Sequence, residues 1–366
     1  MALYVTDDDS PWGGGIPVTT QSMVKTFREC PREAYYKYFK RLKPKRAASR
    51  PLERGKWFHS LLEARYKGED WRVVHKRLTK QFSGLFDEER EALGDLPREI
   101  PAMMEAYDWH YGDPQWADWQ WDVKEAEVTL EAMMPNGHLF RGRVDLLVEN
   151  AFGLWIVDHK THKRMPDWDY RMVDEQSPLY IWAARENGYP VKGFIWNYLI
   201  MDSLSRPRVV KAGDRFYKGE GASCDYPTMV RLLKELGWIK DGKFTDKIHP
   251  DEAARLRPEL KRLKAMRWAP DQPQVSPLFR RDLIQKDDDM IGRVLAGVMR
   301  TSDRMHSYDF KTDPESIERN ILACKGWMCG YKDLMMADLV TGDSSRLERL
   351  NYKQDDPLSY YDEEAK

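Results

Sequence analysis

At 366 residues, with 42% hydrophobic and 12% aromatic content, the chain is long enough for one large domain or two ordinary ones and apolar enough to bury a core. A net charge of −1 points to no particular partner, and no apolar run approaches the ~20 residues that a membrane-spanning helix needs. A globular chain without a membrane-spanning helix is therefore expected.

The opening MALYVTDDDSPWGGG is acidic and glycine-rich, unlike a signal peptide, so a cytoplasmic location is expected. Thr19 or Thr20 then caps a helix through Glu29, and Pro31 suits the first turn of a second, PREAYYKYFKRL. KPKRAASRP reads as a loop, LERGKWFHSLLEARYKG as an amphipathic helix ended by Gly68, and WRVVHKRLTKQF and REIPAMMEAYDWHY as two more helices. Residues 21–80 hold 18 Lys and Arg against 6 Asp and Glu, a local excess of 12. Such an excess is the electrostatic footprint of a nucleic-acid partner, although solvated helix faces carry it too.

From residue 121 the periodicity changes. AEVTLEAMM, HLFRGRVDLLVE and GLWIVDHKT read as three strands joined by PNG and ENAFG turns; a helix around DEQSPLYIWAARENG and the strand GFIWNYLIM follow. Residues 203–275 are charged and mostly helical, PLFRRDLI resembles a strand, and DDDMIGRVLAGVMRTSDRMH a helix capped by acids. The expected fold is α/β, a small mixed central sheet flanked by helices. The expected organisation is a basic helical part over 1–120, a core over 121–202, a helical insertion or cover over 203–275, a closing strand and helix over 276–345, and a polar, poorly ordered tail over 346–366.

Two of the strands carry acids where burial is expected. Side chains at i and i+2 share one face of a strand, so Asp158 and Lys160 project together and His159 points the other way. Asp145, across a turn on the preceding strand, can stand close to Asp158. Two adjacent carboxylates repel unless a cation is held between them, and an oxygen-only set favours Mg²⁺ or Mn²⁺ over zinc. The bland alternative is a surface Asp–Lys pair beside an unrelated Asp145.

In this order and strand context, Asp145, Asp158 and Lys160 resemble the PD-(D/E)XK nuclease superfamily. Gln176-Ser-Pro-Leu-Tyr180 looks like the Q-x-x-x-Y motif of its RecB-like branch, with both side chains on one helix face. His59 in GKWFHSLLE matches that branch's helical histidine, and FRECPREAYYKY resembles its opening motif. Phage-encoded exonucleases are the nearest resemblance. Each residue also has a plain reading: His59 as a core histidine, Gln176 and Tyr180 as ordinary helix surface and core, Glu63 as a water-facing acid. Alternation does not choose between Glu125 and Glu127 as a further acid. Tyr35, Tyr36, Tyr38 and Phe39 are more often packing than base-stacking residues, though interleaved with Lys37, Lys40 and Arg41 they suit either.

The resemblance implies a restriction-endonuclease-like core and hydrolysis of DNA phosphodiesters. It implies a metal held by His59, Asp145, Asp158 and the carbonyl of His159, with Lys160, Gln176 and Tyr180 at the strand. The basic N-terminal helices, with Arg280 and Arg281, would bind phosphates. A recombination or replication protein as partner follows, and a host-cytoplasmic setting if phage-encoded. Some members of the branch carry a [4Fe–4S] cluster, for which Cys30, Cys324 and Cys329 match three ligands. No third C-terminal cysteine follows, so Cys224 would have to supply the fourth thiolate, and the cluster is not favoured. The competing class is a nucleic-acid-binding protein that is inactive or held by zinc through His159, His162, Cys324 and Cys329.

Overall fold

The computed structural model describes residues 16–45, 49–112, 121–167, 169–200, 208–210, 215–217, 226–265, 278–308, 313–320, 322–323 and 329–361. Its centre is a mixed sheet. The strands are β1 (Val18–Thr19), β2 (Asp122–Met133), β3 (Leu139–Asn150), β4 (Gly153–His162), β5 (Gly193–Ile200) and β6 (Phe279–Ile284), and five of them lie in the order β2-β3-β4-β5-β6. Two short turns join β2, β3 and β4 into an antiparallel meander, as the PNG and ENAFG signals predict. β4 and β5 are parallel, and parallel neighbours need a crossover; helix α4 (Gln176–Glu186) supplies it. β1 pairs in parallel with Leu139 and Phe140 at the start of β3.

Both faces of the sheet are covered, so β5 is buried at every position and reads as the unbroken run GFIWNYLI. Phe194, Trp196 and Tyr198 face a core completed by α4 and by α5 (Asp288–His306). Ile195 packs on the other face with Leu146, Val148, Trp155 and Val157. Leu199 there joins a second core built by α2 (Arg50–Tyr66), Trp71–Ser83 and α3 (Leu96–Tyr111). Each such side chain contributes roughly 1.5–3 kcal/mol on leaving water, against ~0–1 kcal/mol for an exposed ion pair, so burial sets the architecture. Tyr226–Glu235 and Pro250–Ala265, from the segment expected to be an insertion, enclose a small core of their own.

The chain ends differ from expectation. Residues beyond 345 were expected to be a poorly ordered tail; instead Ser345–Asn351 is helical, and Tyr352–Gln354 forms a strand paired with Leu42–Pro44. Hydrophobic content is low there, but Tyr352 is buried against Tyr331, ring centroids 5.7 Å apart, and Tyr331 stacks on Tyr36. Tyr35, Tyr36 and Tyr38 are buried in this third core, which settles them as packing residues. They distort their helix, since Lys40 N–H bonds Tyr35 C=O in an i→i+5 turn.

Part of the basic excess of residues 21–80 is engaged by the same docking. Arg32 pairs with Asp338 and Glu315, Lys40 with Glu348, Arg41 with Asp356 and Lys43 with Asp355. Closer to α3, Arg50 and Arg54 share Glu99, and Arg65 takes Asp108. Arg32 is almost fully buried, its Nη2 2.8 Å from Asp338. Removing one member of a buried ion pair strands the other, so Arg32→Ala should cost about 3–5 kcal/mol. Urea unfolding of the full chain measures it; an unchanged midpoint shows that the terminal docking does not depend on Arg32.

Candidate functional site

Helix α1 (Gln21–Glu29), capped as expected by Thr20, lies against α5, and the site forms beside them where β3 and β4 part. The antiparallel ladder runs out at Leu146 opposite Val157. Asp145 and Asp158 are the next residues on the two strands. There a side chain replaces the ladder: Asp145 Oδ2 accepts the main-chain N–H of His159 at 2.6 Å. Asp158 is buried, with Lys160 Nζ 2.7 Å from its Oδ2 and Gln176 Nε2 donating to its Oδ1 at 2.6 Å. The i, i+2 expectation for Asp158 and Lys160 therefore holds, and the first residue of α4 closes over both.

His59 reaches the site from α2, its Nδ1 3.5 Å from Asp145 Oδ1. The histidine is thus beside the carboxylates, in addition to flanking the packed face of Trp57, Phe58, Leu61 and Leu62. His159 points the other way, as the strand period requires. Its ring stacks on Tyr66 at 5.7 Å, and its Nδ1 accepts from Asn197 Nδ2 at 2.8 Å; the same amide donates to Tyr107 Oη. Burial holds that imidazole neutral, its pKa down at about 3.

Charge in the site is finely opposed. Burial alone would raise both carboxyls. Around Asp145 this is overcome by His59, His159 and Lys160, and its pKa lies well below the usual carboxylate range. Asp158 has burial reinforced by the Asp145 charge, which together outweigh Lys160 and push it up to about 6. Burial works against the cations too, yet Asp145 raises His59, and Asp158 with Asp145 raises Lys160.

A divalent cation suits this balance. Among the described residues no three His, Cys, Asp or Glu side chains are already drawn together as a metal cluster. The donor set nevertheless fits one: Asp158 Oδ2 is buried with the Lys160 ammonium against it, and Asp145 and His59 stand beside it. Asp145, Asp158 and His59 are the groups that can hold an oxygen-preferring ion there.

Other expected residues separate. Tyr180 lies in the central core, its ring 6.2 Å from Phe140 and 6.3 Å from Phe194, while Gln176 four residues earlier meets Asp158. A Cβ at position 142 would come within 2.9 Å of that ring, which is why β3 carries Gly142 there. Arg281 is stacked between Tyr111 and Trp121, at 3.6 and 3.7 Å, and Arg280 bonds Asp282 and Pro166 C=O, so both are engaged inside the fold. Cys30 and Cys329 share the third core, where Cys329 Sγ lies 3.9 Å from Glu33; Cys224 and Cys324 lie outside the described residues. That core is not the surroundings of His159, and His162 packs on Tyr198, so the structure does not gather the His159–His162–Cys329 set.

The structure also chooses between two acids. Glu125 accepts from Tyr189 Oη. Glu127 stands directly across from Asp145, because Ala126 pairs with Leu146 and Val128 with Val144. A shift in register after Val123 and a positive φ of 58° at Glu127 re-aim this strand, which strict alternation could not foresee. Arg143 holds Glu127 at 2.6 Å, while burial and Asp145 raise its pKa. Asn197 was also missed, although an amide inside an apolar strand is a legible signal.

No protein of curated function matches the chain. The family model of the PD-(D/E)XK nuclease superfamily matches residues 19–334. That span takes in β2 through β6 and every side chain that converges on Asp145 and Asp158, and on this match the chain belongs to the PD-(D/E)XK nuclease superfamily.

Proposed function

We propose that the chain is a divalent-cation-dependent deoxyribonuclease of the RecB-like, phage-type branch, an exonuclease working in DNA recombination, repair or replication. The observation that carries this reading is the convergence of Asp145, Asp158, Lys160 and Gln176 where β3 and β4 part. Asp145, Asp158, His59 and the main-chain carbonyl of His159 would hold Mg²⁺ or Mn²⁺. When bound, the ion polarises the scissile phosphate and lowers the pKa of the attacking water.

The protein's own groups have distinct parts. Gln176 occupies Asp158 Oδ1 and fixes the carboxylate's orientation, which leaves Oδ2, paired with Lys160, as the atom that would turn to the ion. Lys160 is kept protonated by its two acidic neighbours, so it is a charge donor rather than a base. Turned from Asp158 to the phosphate, its ammonium stabilises the negative charge that grows as water attacks. Its side chain is one-third exposed, which leaves it that freedom. Asn197 and Tyr66 hold His159 and with it the peptide that binds Asp145. Tyr180 anchors α4, and so the position of Gln176.

Lys160→Ala should lower cleavage by about 10²–10³-fold, and Asp158→Ala or Asp145→Ala should reduce it to background. DNA binding in EDTA should persist, because phosphate contacts lie elsewhere. Wild-type cleavage by any of the three purified variants removes the assignment. End-labelled linear and closed circular DNA, digested with Mg²⁺ or Mn²⁺, should show loss of the linear form alone; nicked circles mark an endonuclease instead.

His59→Ala should raise the cation concentration needed for half-maximal activity about tenfold. A lower melting temperature with unchanged cation dependence makes His59 a packing residue. For the cysteines, anaerobic purification should give colourless, iron-free, active protein. Stoichiometric iron and sulfide, lost in Cys224→Ser, reverses that expectation.

A further inference from the structure

Most N-terminal cations are tied to carboxylates of the fold, but one group of arginines faces open space. α1 and α5 enclose a cavity of about 360 Å³ lined by Phe27, Arg28, Gly297, Arg300, Thr301 and Arg304. Three guanidiniums from two helices share it. Arg28 Nη2 and Arg300 Nη2 lie 3.6 and 3.9 Å from the point where a Cβ on Gly297 would stand, so both crowd the same glycine. Two cations ~7 Å apart repel by on the order of 2 kcal/mol at a surface-like dielectric, and an anion between them removes that cost.

The three arginines are not equivalent. Arg28 ties the helices together through Thr301 Oγ1 at 2.9 Å and Gly297 C=O at 3.0 Å, and its other nitrogen meets Glu175. Arg304 pairs with Glu318 and lies over Phe27. Arg300 is exposed and has no hydrogen bond or ion pair among the described residues. A planar guanidinium left free beside two others is suited to a phosphate, whose oxygens accept in bidentate fashion.

The groove is also tied to the site through the start of α4. Glu175, the partner of Arg28, directly precedes Gln176, whose amide is bonded to Asp158. A strand with one phosphate at Asp158 and Lys160 would pass the start of α4 on its way to these cations. The volume is at the small end of ligand pockets, room for one backbone unit at a time.

We propose that the α1–α5 groove binds the sugar–phosphate backbone of the DNA strand that the site cuts, with Arg300 as its free phosphate ligand and Arg28 exchanging Glu175 for phosphate. This rests on the nuclease reading above. It narrows the backbone track from the basic N-terminal helices as a whole to α1 with α5, and moves it away from Arg280 and Arg281, whose charges are engaged elsewhere.

The test compares Arg300→Ala with Arg77→Ala in the full chain; Arg77 is likewise an exposed arginine, on Trp71–Ser83. Binding of a single-stranded oligonucleotide is measured in EDTA across salt concentrations, beside turnover of bis(p-nitrophenyl) phosphate with Mn²⁺, a diester with no flanking phosphates. Arg300→Ala should weaken binding about fivefold to tenfold and reduce the salt slope by ~0.7, the value of one lost single-strand phosphate contact. Its small-diester turnover and melting temperature should match wild type, Arg300→Lys should restore the slope, and Arg77→Ala should bind normally. Unchanged affinity in Arg300→Ala overturns the proposal, as does an equal loss in both variants, which signals diffuse attraction. Loss of small-diester turnover with binding intact also overturns it, since Arg300 would then act on the site itself. Should wild type turn over neither substrate, the nuclease reading falls, while the cation-free binding curves still decide the groove.

Discussion

The bond from His159 N–H to the Asp145 carboxylate is the constraint on which the site depends. β3 and β4 are held by ordinary ladder bonds as far as Leu146 and Val157, and then β4 continues beside β5 alone. A main-chain N–H left at that divergence would be buried and unpaired, at a cost of ~1–3 kcal/mol. Asp145 satisfies it, and in doing so becomes fixed, buried and charged at the mouth of the gap. Everything else in the site answers that charge. His59 comes from the facing helix, Lys160 from the same strand as Asp158, and Gln176 from the crossover helix that parallel pairing of β4 and β5 requires.

Much of this was legible from periodicity. The period of two placed Asp158 with Lys160 and turned His159 away, and the spacing of four put Gln176 and Tyr180 on one helix face. Periodicity gives direction, however, not depth. Gln176 stands at the helix start, over the strand ends, whereas Tyr180 is one turn further in and meets Phe140, Phe194 and the gap at Gly142. The acid on β2 was undecidable for a different reason. A register shift lets Glu127 face Asp145, and no local propensity announces a shift that the partner strand imposes.

Charge counting misled more than periodicity did. An excess of 12 cations over 60 residues of sequence looks like a surface awaiting phosphate. In the folded chain, Arg32, Lys40, Arg41 and Lys43 meet carboxylates more than 300 positions away, except for Glu315, 283 positions from Arg32. Composition windows see only neighbours in sequence, so they count a cation and never its distant partner. The same blindness made residues beyond 345 look like a tail, because their apolar anchors are few, Tyr352 with the half-buried Leu347 and Leu358, and much of the remaining attachment is ionic and main-chain.

Within the site the same accounting of partners explains why two acids so close behave differently. Asp145 has the His159 N–H, His59 and Lys160 ranged against its burial, and stays ionised. Asp158 has one amide and one ammonium against burial and a neighbouring carboxylate, and its pKa rises to about 6. The sign has a consequence for stability. The folded state holds the Asp158 proton more tightly than the unfolded chain, so this residue's contribution declines as pH rises from about 4 toward 6. Asp145 runs the other way: its stabilisation is present above the ordinary carboxylate pKa and is lost only as the solution becomes strongly acid. Above pH 6 the paired strands therefore carry two buried negative charges, balanced by Lys160 and by whatever fraction of His59 remains protonated. That residual strain is placed on Oδ2 of Asp158, the buried carboxylate oxygen whose close partner is the Lys160 ammonium.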